Sequence, residues 1–286
     1  MNKQWLNQLP IEQIKDIKSV PGGDVNDAYK IESDDQEYFL LVQPNASKDF
    51  FVTEASGLED LEKAGVTAPT VYHIGEIDGD AYLLISYLEE GTTRDSRALA
   101  KMIAKMHQTY SDNGKFGYNY PHQGSDITFD NTWTDSWIEL FVERRLDKLR
   151  DAIIKSNKWN QKQAKTYEQA REIIIEELSN HQSKPSLLHG DLWGGNHMFL
   201  TNGEPALFDP APFYGDREFD IGITTGFGGY DQVFYEEYQN TLPMDDGYEK
   251  RLDFYRLYLF MVHLHKFGGI YERSVDQNLH DILSKN

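Results

Sequence analysis

A chain of 286 residues is long enough for one large domain or two lobes around a sizeable core. Its 28 basic against 47 acidic residues give a formal charge of −19, which argues against a nucleic-acid or anionic-membrane surface and would suit a cationic acceptor such as an amine, although acidity is also a common route to solubility. The absence of cysteine excludes disulfides, thiolate catalysis and cysteine-held metals, no run reaches the roughly 18 apolar residues of a membrane helix, and the opening MNKQWLNQLP lacks the apolar core of a signal peptide, so a cytoplasmic protein is expected.

In chain order, residues 3–16 carry Trp5, Leu6, Leu9 and Ile14 at amphipathic spacing and predict a short helix. Residues 20–27, with Gly22 and Gly23, form a turn ahead of two alternating runs, 28–32 and 37–42, that read as a hairpin. A helix bearing Glu54 is predicted over 50–64, and runs 71–74 and 81–87 read as strands around the Asp78-Gly79 turn. The fold class is therefore α+β and two-lobed. Residues 1–87 make a small lobe with a five-stranded sheet and one main helix, and residues 88–286 make a larger, mostly helical lobe. In that lobe helices are predicted over 96–110, 132–155 and 161–180, with residues 116–131 as an extended aromatic loop. His107 reads as a packed or capping residue, and Trp133, Trp137, Phe141 and Leu146 as an apolar stripe on the second helix. A helix starts near Asp220, and further helices over 231–241, 248–267 and 274–283 close the lobe.

Residues 187–196 and 207–210 organise the rest. Asp191, Asn196 and Asp209 stand among apolar runs that read as short buried strands able to deliver an acid to a polar loop. Taken singly, each is an ordinary turn or cap residue. As an ordered set, His189-Gly190-Asp191, then Asn196, then an apolar-flanked Asp209, they supply what phosphoryl transfer from MgATP needs. Asp191 would orient the attacking hydroxyl and accept its proton, while Asn196 and Asp209 would hold Mg²⁺ through hard oxygens.

The longer string His189-Gly190-Asp191-Leu192-Trp193-Gly194-Gly195-Asn196, with Phe208-Asp209-Pro210-Ala211 and Phe213-Tyr214-Gly215, resembles the fructosamine-3-kinase and ketosamine-3-kinase family of the aminoglycoside-phosphotransferase and protein-kinase-like group. Agreement extends to Asn131, Trp133, Trp137 and Arg145, to Phe227-Gly228-Gly229 and to residues 248–252 and 265–268. The resemblance implies a protein-kinase-like fold with ATP and Mg²⁺ as cofactors. It implies transfer of the γ-phosphoryl group to O3 of a ketoamine, free or protein-bound, after which the adduct decomposes and frees the amine. Gly22 and Gly23 would cover the phosphates, and Ser86, Tyr87 and Leu88 would form the hinge that reads adenine. Asp220 would brace the catalytic loop beside His189. Trp193, with Trp133 and Trp137 as weaker candidates, would shape the acceptor side.

Three departures bear on this. Leu41 stands where the family pattern places the phosphate-binding lysine, leaving Glu54 without its usual partner, and Lys30 and Lys48 are the nearest substitutes in sequence. Asp216 stands where relatives often have histidine, and the turn at 20–27 lacks the cysteine common there. A related kinase for an aminoglycoside or amino-alcohol, or a pseudokinase suggested by Leu41, are the alternatives.

Overall fold

The computed structural model describes residues 3–20, 26–124 and 127–285. The chain folds as two compact units, Met1–Asp95 with Met198–Pro210, and Ser96–His197 with Ala211–Asn286. The smaller is built on a five-stranded antiparallel sheet in the order β1-β2-β3-β5-β4, from β1 (Asp16–Ser19), β2 (Asp27–Glu32), β3 (Glu37–Gln43), β4 (Val71–Ile77) and β5 (Asp80–Ser86). Strand alternation sorts its side chains onto two apolar faces. Tyr38, Leu40 and Val42 pack with Ile31, Tyr82 and Trp5, while Phe39 and Leu41 face the other way, onto a cluster with Phe51, Ala55 and Leu58. Phe51 ends a 3₁₀ turn (Lys48–Phe51), and Ala55 and Leu58 belong to α2 (Val52–Lys63). Asp78 and Gly79, both with positive φ (53° and 86°), close the β4–β5 hairpin as a two-residue turn, the geometry an Asp-Gly pair favours.

The helix predicted over 3–16 is cut to α1 (Lys3–Leu6), and residues 16–19 become the fifth strand. Pro10 cannot continue a helical hydrogen-bond ladder, and Gln13 adopts φ +52°. Trp5 is held against the sheet by its indole N–H, which donates to the Ile77 carbonyl at 3.2 Å. Sheet packing outweighs local periodicity here.

In the larger unit α3 (Ser96–His107) comes first. The expected loop over 116–131 contains a small hairpin, β6 (His122–Gly124) with β7 (Ile127–Phe129). The continuous helix expected over 132–155 is also corrected. Trp133 precedes it, and a π-helical segment (Glu139–Leu146) leads into α4 (Asp147–Lys155). Then comes α5 (Gln161–Asn180), opened by a capping box in which the Asn160 side chain accepts from Lys162 and Gln163 N–H while Gln163 returns a bond to the Asn160 N–H. After β8 (Ser186–Leu188) the chain passes through β9 (His197–Phe199) and β10 (Pro205–Leu207), the hairpin that completes the smaller unit. It then forms β11 (Phe213–Gly215), α6 (Glu218–Thr224), α7 (Gln232–Thr241), α8 (Tyr248–Phe267) and α9 (Glu272–Ser284). The core is aromatic. Trp137 and Phe141 stack at 5.3 Å, and Phe213, Phe219, Tyr255 and Tyr258 close around them. Among the described residues no helix is long and apolar enough to cross a membrane.

The segment that leads into β8 is fastened to the start of α6 by buried charge. His181 Nε2 meets Asp216 at 2.8 Å, the Ser183 hydroxyl donates to the same carboxylate at 2.6 Å, and Arg251 holds Glu218 with two bonds of 2.8 Å. Burial works to lower the His181 pKa, but its bond to Asp216 and the surrounding carboxylates prevail and raise it above the ordinary 6.5. This contribution to stability is therefore complete below the unfolded value and drains away as pH rises through the folded one. Thermal melts across neutral to mildly alkaline pH are expected to show a midpoint falling with pH in the wild type, a fall that His181→Gln reduces.

Candidate active site

The loop that carries Asp191 starts from the fully buried β8, which pairs antiparallel with β11 through Leu188–Phe213, Leu187–Tyr214 and Ser186–Gly215. Beyond Leu188 the strand ends, and its next backbone donors need partners from elsewhere. The N–H of His189 donates to Asp220 Oδ2 at 2.8 Å and that of Gly190 to Asp220 Oδ1 at 3.0 Å. Asp220 is itself fully buried, and His107 Nε2 lies 3.2 Å from its Oδ2 while His107 Nδ1 meets the Tyr238 hydroxyl at 2.8 Å. Gly190 has φ +81°, and a Cβ there would lie 1.9 Å from the Ala211 carbonyl oxygen, so only glycine fits.

Past Gly190 the loop folds on itself. The Trp193 N–H donates to the Asp191 carbonyl and the Asn196 N–H to that of Trp193, both at 3.0 Å. The Asn196 amide nitrogen donates to the Asp191 carbonyl at 2.9 Å and to Asp191 Oδ2 at 3.1 Å, which leaves Asn196 Oδ1 as the group able to bind a cation. Trp193 lies over Gly195, where a Cβ would come within 2.2 Å of the indole, and the residue is 41% exposed. Gly194 packs backbone to backbone on Gly228 and Gly229, with a Cβ at Gly194 placed 2.7 Å from the Gly228 oxygen.

In the smaller unit Asp209 adopts φ +56°, unusual for a residue other than glycine, just after β10, which is anchored by the Leu207 N–H to the Thr67 carbonyl at 2.9 Å. Burial and then the nearby Asp209 charge push Glu54 well above the usual carboxylate range. Leu41 packs on the α2 face of the sheet, on the side where a lysine would be needed. Neither substitute lysine fills the gap. Lys30 pairs with Glu37 at 2.7 Å and lies 4.0 Å over the Tyr87 ring, and Lys48 is exposed on the 3₁₀ turn. Ser86 Oγ accepts from the Thr70 N–H at 2.9 Å, and the Tyr87 N–H donates to the Glu37 carbonyl at 3.3 Å. Leu88 makes no backbone hydrogen bond among the described residues. Gly22 and Gly23 lie outside the described residues.

Of the two other tryptophans expected on the acceptor side, Trp137 is 4% exposed inside the aromatic core, so its ring has no open face for a sugar and its work is packing. Trp133 is half-buried, its N–H donating to Asn119 Oδ1 at 3.1 Å and its ring 5.8 Å from Tyr214. Sequence reading missed the tyrosines of this neighbourhood. Tyr238 anchors His107, and the buried Tyr230 hydroxyl has no hydrogen-bond partner among the described residues. Burial, and more weakly Asp220, Tyr235 and Asp191, push the Tyr230 pKa far up. The Gly228-Gly229 pair just before it was the available signal.

Comparison with known proteins adds an independent finding. The family model described as fructosamine kinase matches residues 1–285. A protein of Staphylococcus aureus named a probable ketoamine kinase is 52% identical over 283 residues, 99% of this chain and 98% of its own. The chloroplastic protein-ribulosamine 3-kinase of Arabidopsis thaliana is 32% identical, covering 98% of this chain and 87% of its own. A solved Haemophilus somnus structure, named as a candidate fructosamine-3-kinase, superposes with a TM-score of 0.83 at 27% identity, over 94% of this chain and 92% of that one.

Asp220 can be tested without reference to substrate. Asp220→Ala leaves two buried N–H groups unpaired at about 1–3 kcal/mol each, so its denaturation midpoint should drop accordingly. Amide exchange at His189 and Gly190 should accelerate in the variant, while exchange in α5 should change only with global stability.

Proposed function

The chain belongs to the fructosamine kinase family and is a kinase, and from that premise we propose that it transfers the γ-phosphoryl group of ATP to O3 of a ketoamine. The observation that carries this reading is the paired hydrogen bonding of Asn196 to Asp191, on a loop clamped by Asp220. It supports Asp191 as base and leaves the Asn196 amide oxygen for a metal ion, five residues apart.

In the proposed reaction the acceptor O3–H gives its proton to the Asp191 carboxylate as O3 forms a bond to the γ-phosphorus and the bond to ADP breaks. Asn196 restrains Asp191 through its amide N–H, so that the base need not reorganise as the hydroxyl arrives. The hard oxygens of Asn196 Oδ1 and the Asp209 carboxylate suit Mg²⁺, and when bound the ion would neutralise phosphate charge. The unused backbone groups of Leu88 would read the adenine edge, with Ser86 and Tyr87 holding the segment straight. Gly22 and Gly23 would supply N–H groups to the phosphates, an assignment that rests on sequence alone. His189 would position the loop through its buried backbone, and the exposed Trp193 would stack on the acceptor.

The acceptor would be a ribulosamine or fructosamine, on a free or a protein-borne amine, and its 3-phosphate would decompose to release that amine. The short turn before β11, in place of a long regulated segment, favours a compact or protruding acceptor over an extended peptide. The Leu192-Trp193-Gly194-Gly195 string argues against an aminoglycoside or amino-alcohol as the acceptor.

Two measurements test this. In an ADP-release assay with MgATP and ribulosyl-lysine, the wild type should turn over and yield a product carrying one added phosphoryl group. Asp191→Asn should lower turnover by roughly 10²–10⁴-fold. No turnover on any of several ketoamines, from folded protein that binds MgATP, would sink the acceptor assignment. Leu41→Lys puts a cation on the sheet face that packs on α2, the helix of Glu54, and should tighten MgATP by about tenfold, as expected for one charge-assisted hydrogen bond. Unchanged binding would mean that the phosphates do not approach that face of β3.

A further inference from the structure

Tyr258 of α8 is 8% exposed, its ring packed on Phe219 at 5.1 Å, Phe129 at 5.8 Å and Phe141 at 6.4 Å. The ring belongs to the core, and a phenylalanine would fill that space as well. The hydroxyl is not accounted for by packing. It makes no hydrogen bond among the described residues, and it is not sealed in, since the small exposed fraction of the residue includes the oxygen. A phenol set this deep normally finds a partner, and this one can find it only in something that enters from outside the core.

Its neighbours place it beside the candidate active site. The Arg145 guanidinium lies 5.8 Å from the Phe129 ring that Tyr258 also touches, and 4.0 Å from the Phe213 ring. Phe213 in turn stands 3.3 Å from where a Cβ of Gly190 would be, so one aromatic ring separates this group from the residue before Asp191. Burial raises the Tyr258 pKa to about 12, with Arg145 drawing it down and the Asp191 charge pushing it up, so the phenol is neutral and lies within the field of both. His122 of β6 stacks on the same Phe129 at 6.0 Å, is partly exposed, and makes no hydrogen bond among the described residues. Burial and then Arg145 hold its pKa down to about 4, so it offers one N–H and one lone pair as a neutral imidazole. Arg145 itself is 1% exposed and donates to the Leu140 carbonyl, so it supplies field and not contact.

We propose that Tyr258 and His122 are specificity-determining residues that hold the hydroxyls of the acceptor sugar beyond O3, Tyr258 the one on C4 and His122 one nearer the chain end. This rests on the reading of Asp191 as the base that receives O3–H. With O3 at Asp191, the oxygen on the adjacent carbon falls to the nearest unpartnered polar group, the Tyr258 hydroxyl. Both groups donate and accept without carrying charge, as sugar hydroxyls do, and neither presents a cation to an anionic chain end. The aromatic side chains packed behind them hold their rings in place before the acceptor arrives, which lowers the entropy lost on binding.

The test compares ribulosyl-lysine with its 4-deoxy analogue on the full chain, by calorimetric binding without nucleotide and by kcat/KM with MgATP. The wild type should prefer the hydroxylated acceptor by about three- to tenfold, the worth of one neutral hydrogen bond. Tyr258→Phe should erase that preference and leave the melting midpoint in place, because the hydroxyl bonds to nothing in the fold. His122→Leu should weaken fructosyl-lysine more than erythrulosyl-lysine, whose chain ends at C4. The proposal is overturned if the wild type shows no preference, if Tyr258→Phe retains it, or if His122→Leu weakens both acceptors equally or neither. It also falls if Tyr258→Phe lowers the melting midpoint, since the hydroxyl would then be held within the fold. Binding with the stated preference but without a phosphorylated product would sink the proposed reaction and leave the subsite standing. Phosphorylation of both acceptors alike would do the reverse.

Discussion

Two backbone N–H groups, those of His189 and Gly190, leave the end of β8 with no strand to receive them, and both terminate on the carboxylate of Asp220. A charge buried this deeply is tolerable only when hydrogen-bonded on several sides, and His107 completes the set. The clamp has its own support. Asp220 is on α6 one residue beyond Phe219, whose ring is locked among Trp137, Phe141, Phe213 and Tyr255. The aromatic core fixes the helix, the helix fixes the carboxylate, and the carboxylate fixes the loop that presents Asp191. The position of Asp191, the proposed base, is therefore set by packing outside its own loop.

The smaller unit is arranged on a different electrostatic principle. The β3 face turned toward α2 carries Phe39 and Leu41, and Glu54 has a second carboxylate, Asp209, as its charged neighbour. The nearest lysine on the sheet is engaged with Glu37 and the Tyr87 ring. Positive charge for a triphosphate would then have to come from a metal ion and backbone dipoles to a greater degree than where a lysine reaches in.

Local rules carried much of the sequence reading. The Asp78-Gly79 turn, the alternation of residues 28–32 and 37–42 and the capped helix Gln161–Asn180 are each specified by neighbours a few residues apart, and each has the predicted form. So has the kinase-like fold implied by the His-Gly-Asp string. What escaped depends on distance along the chain. His107 and Asp220 are 113 residues apart, and nothing in either segment announces the pairing. Periodicity over 3–16 suggested a helix because Trp5 and Leu9 are apolar, but they are apolar in order to cover the sheet. Residues 116–131 concealed a hairpin because its strands are three residues long, too short for alternation to register. The return of Met198–Pro210 to the smaller unit likewise leaves no local trace.

The π-helical segment imposes a constraint on how this chain can vary in length. Eight residues, Glu139–Leu146, run with the wider i→i+5 spacing, and the buried guanidinium of Arg145 both donates through Nη1 to the Leu140 carbonyl at 3.0 Å and lies 4.0 Å over Phe213. Losing one residue here would let the backbone close as ordinary α-helix with little loss of hydrogen bonding. It would also turn everything before the deletion by about 100° against everything after it. Trp137 and Arg145 could then no longer both face the core. Substitutions can be absorbed along this segment, but its residue count is held fixed by the two side chains it must aim.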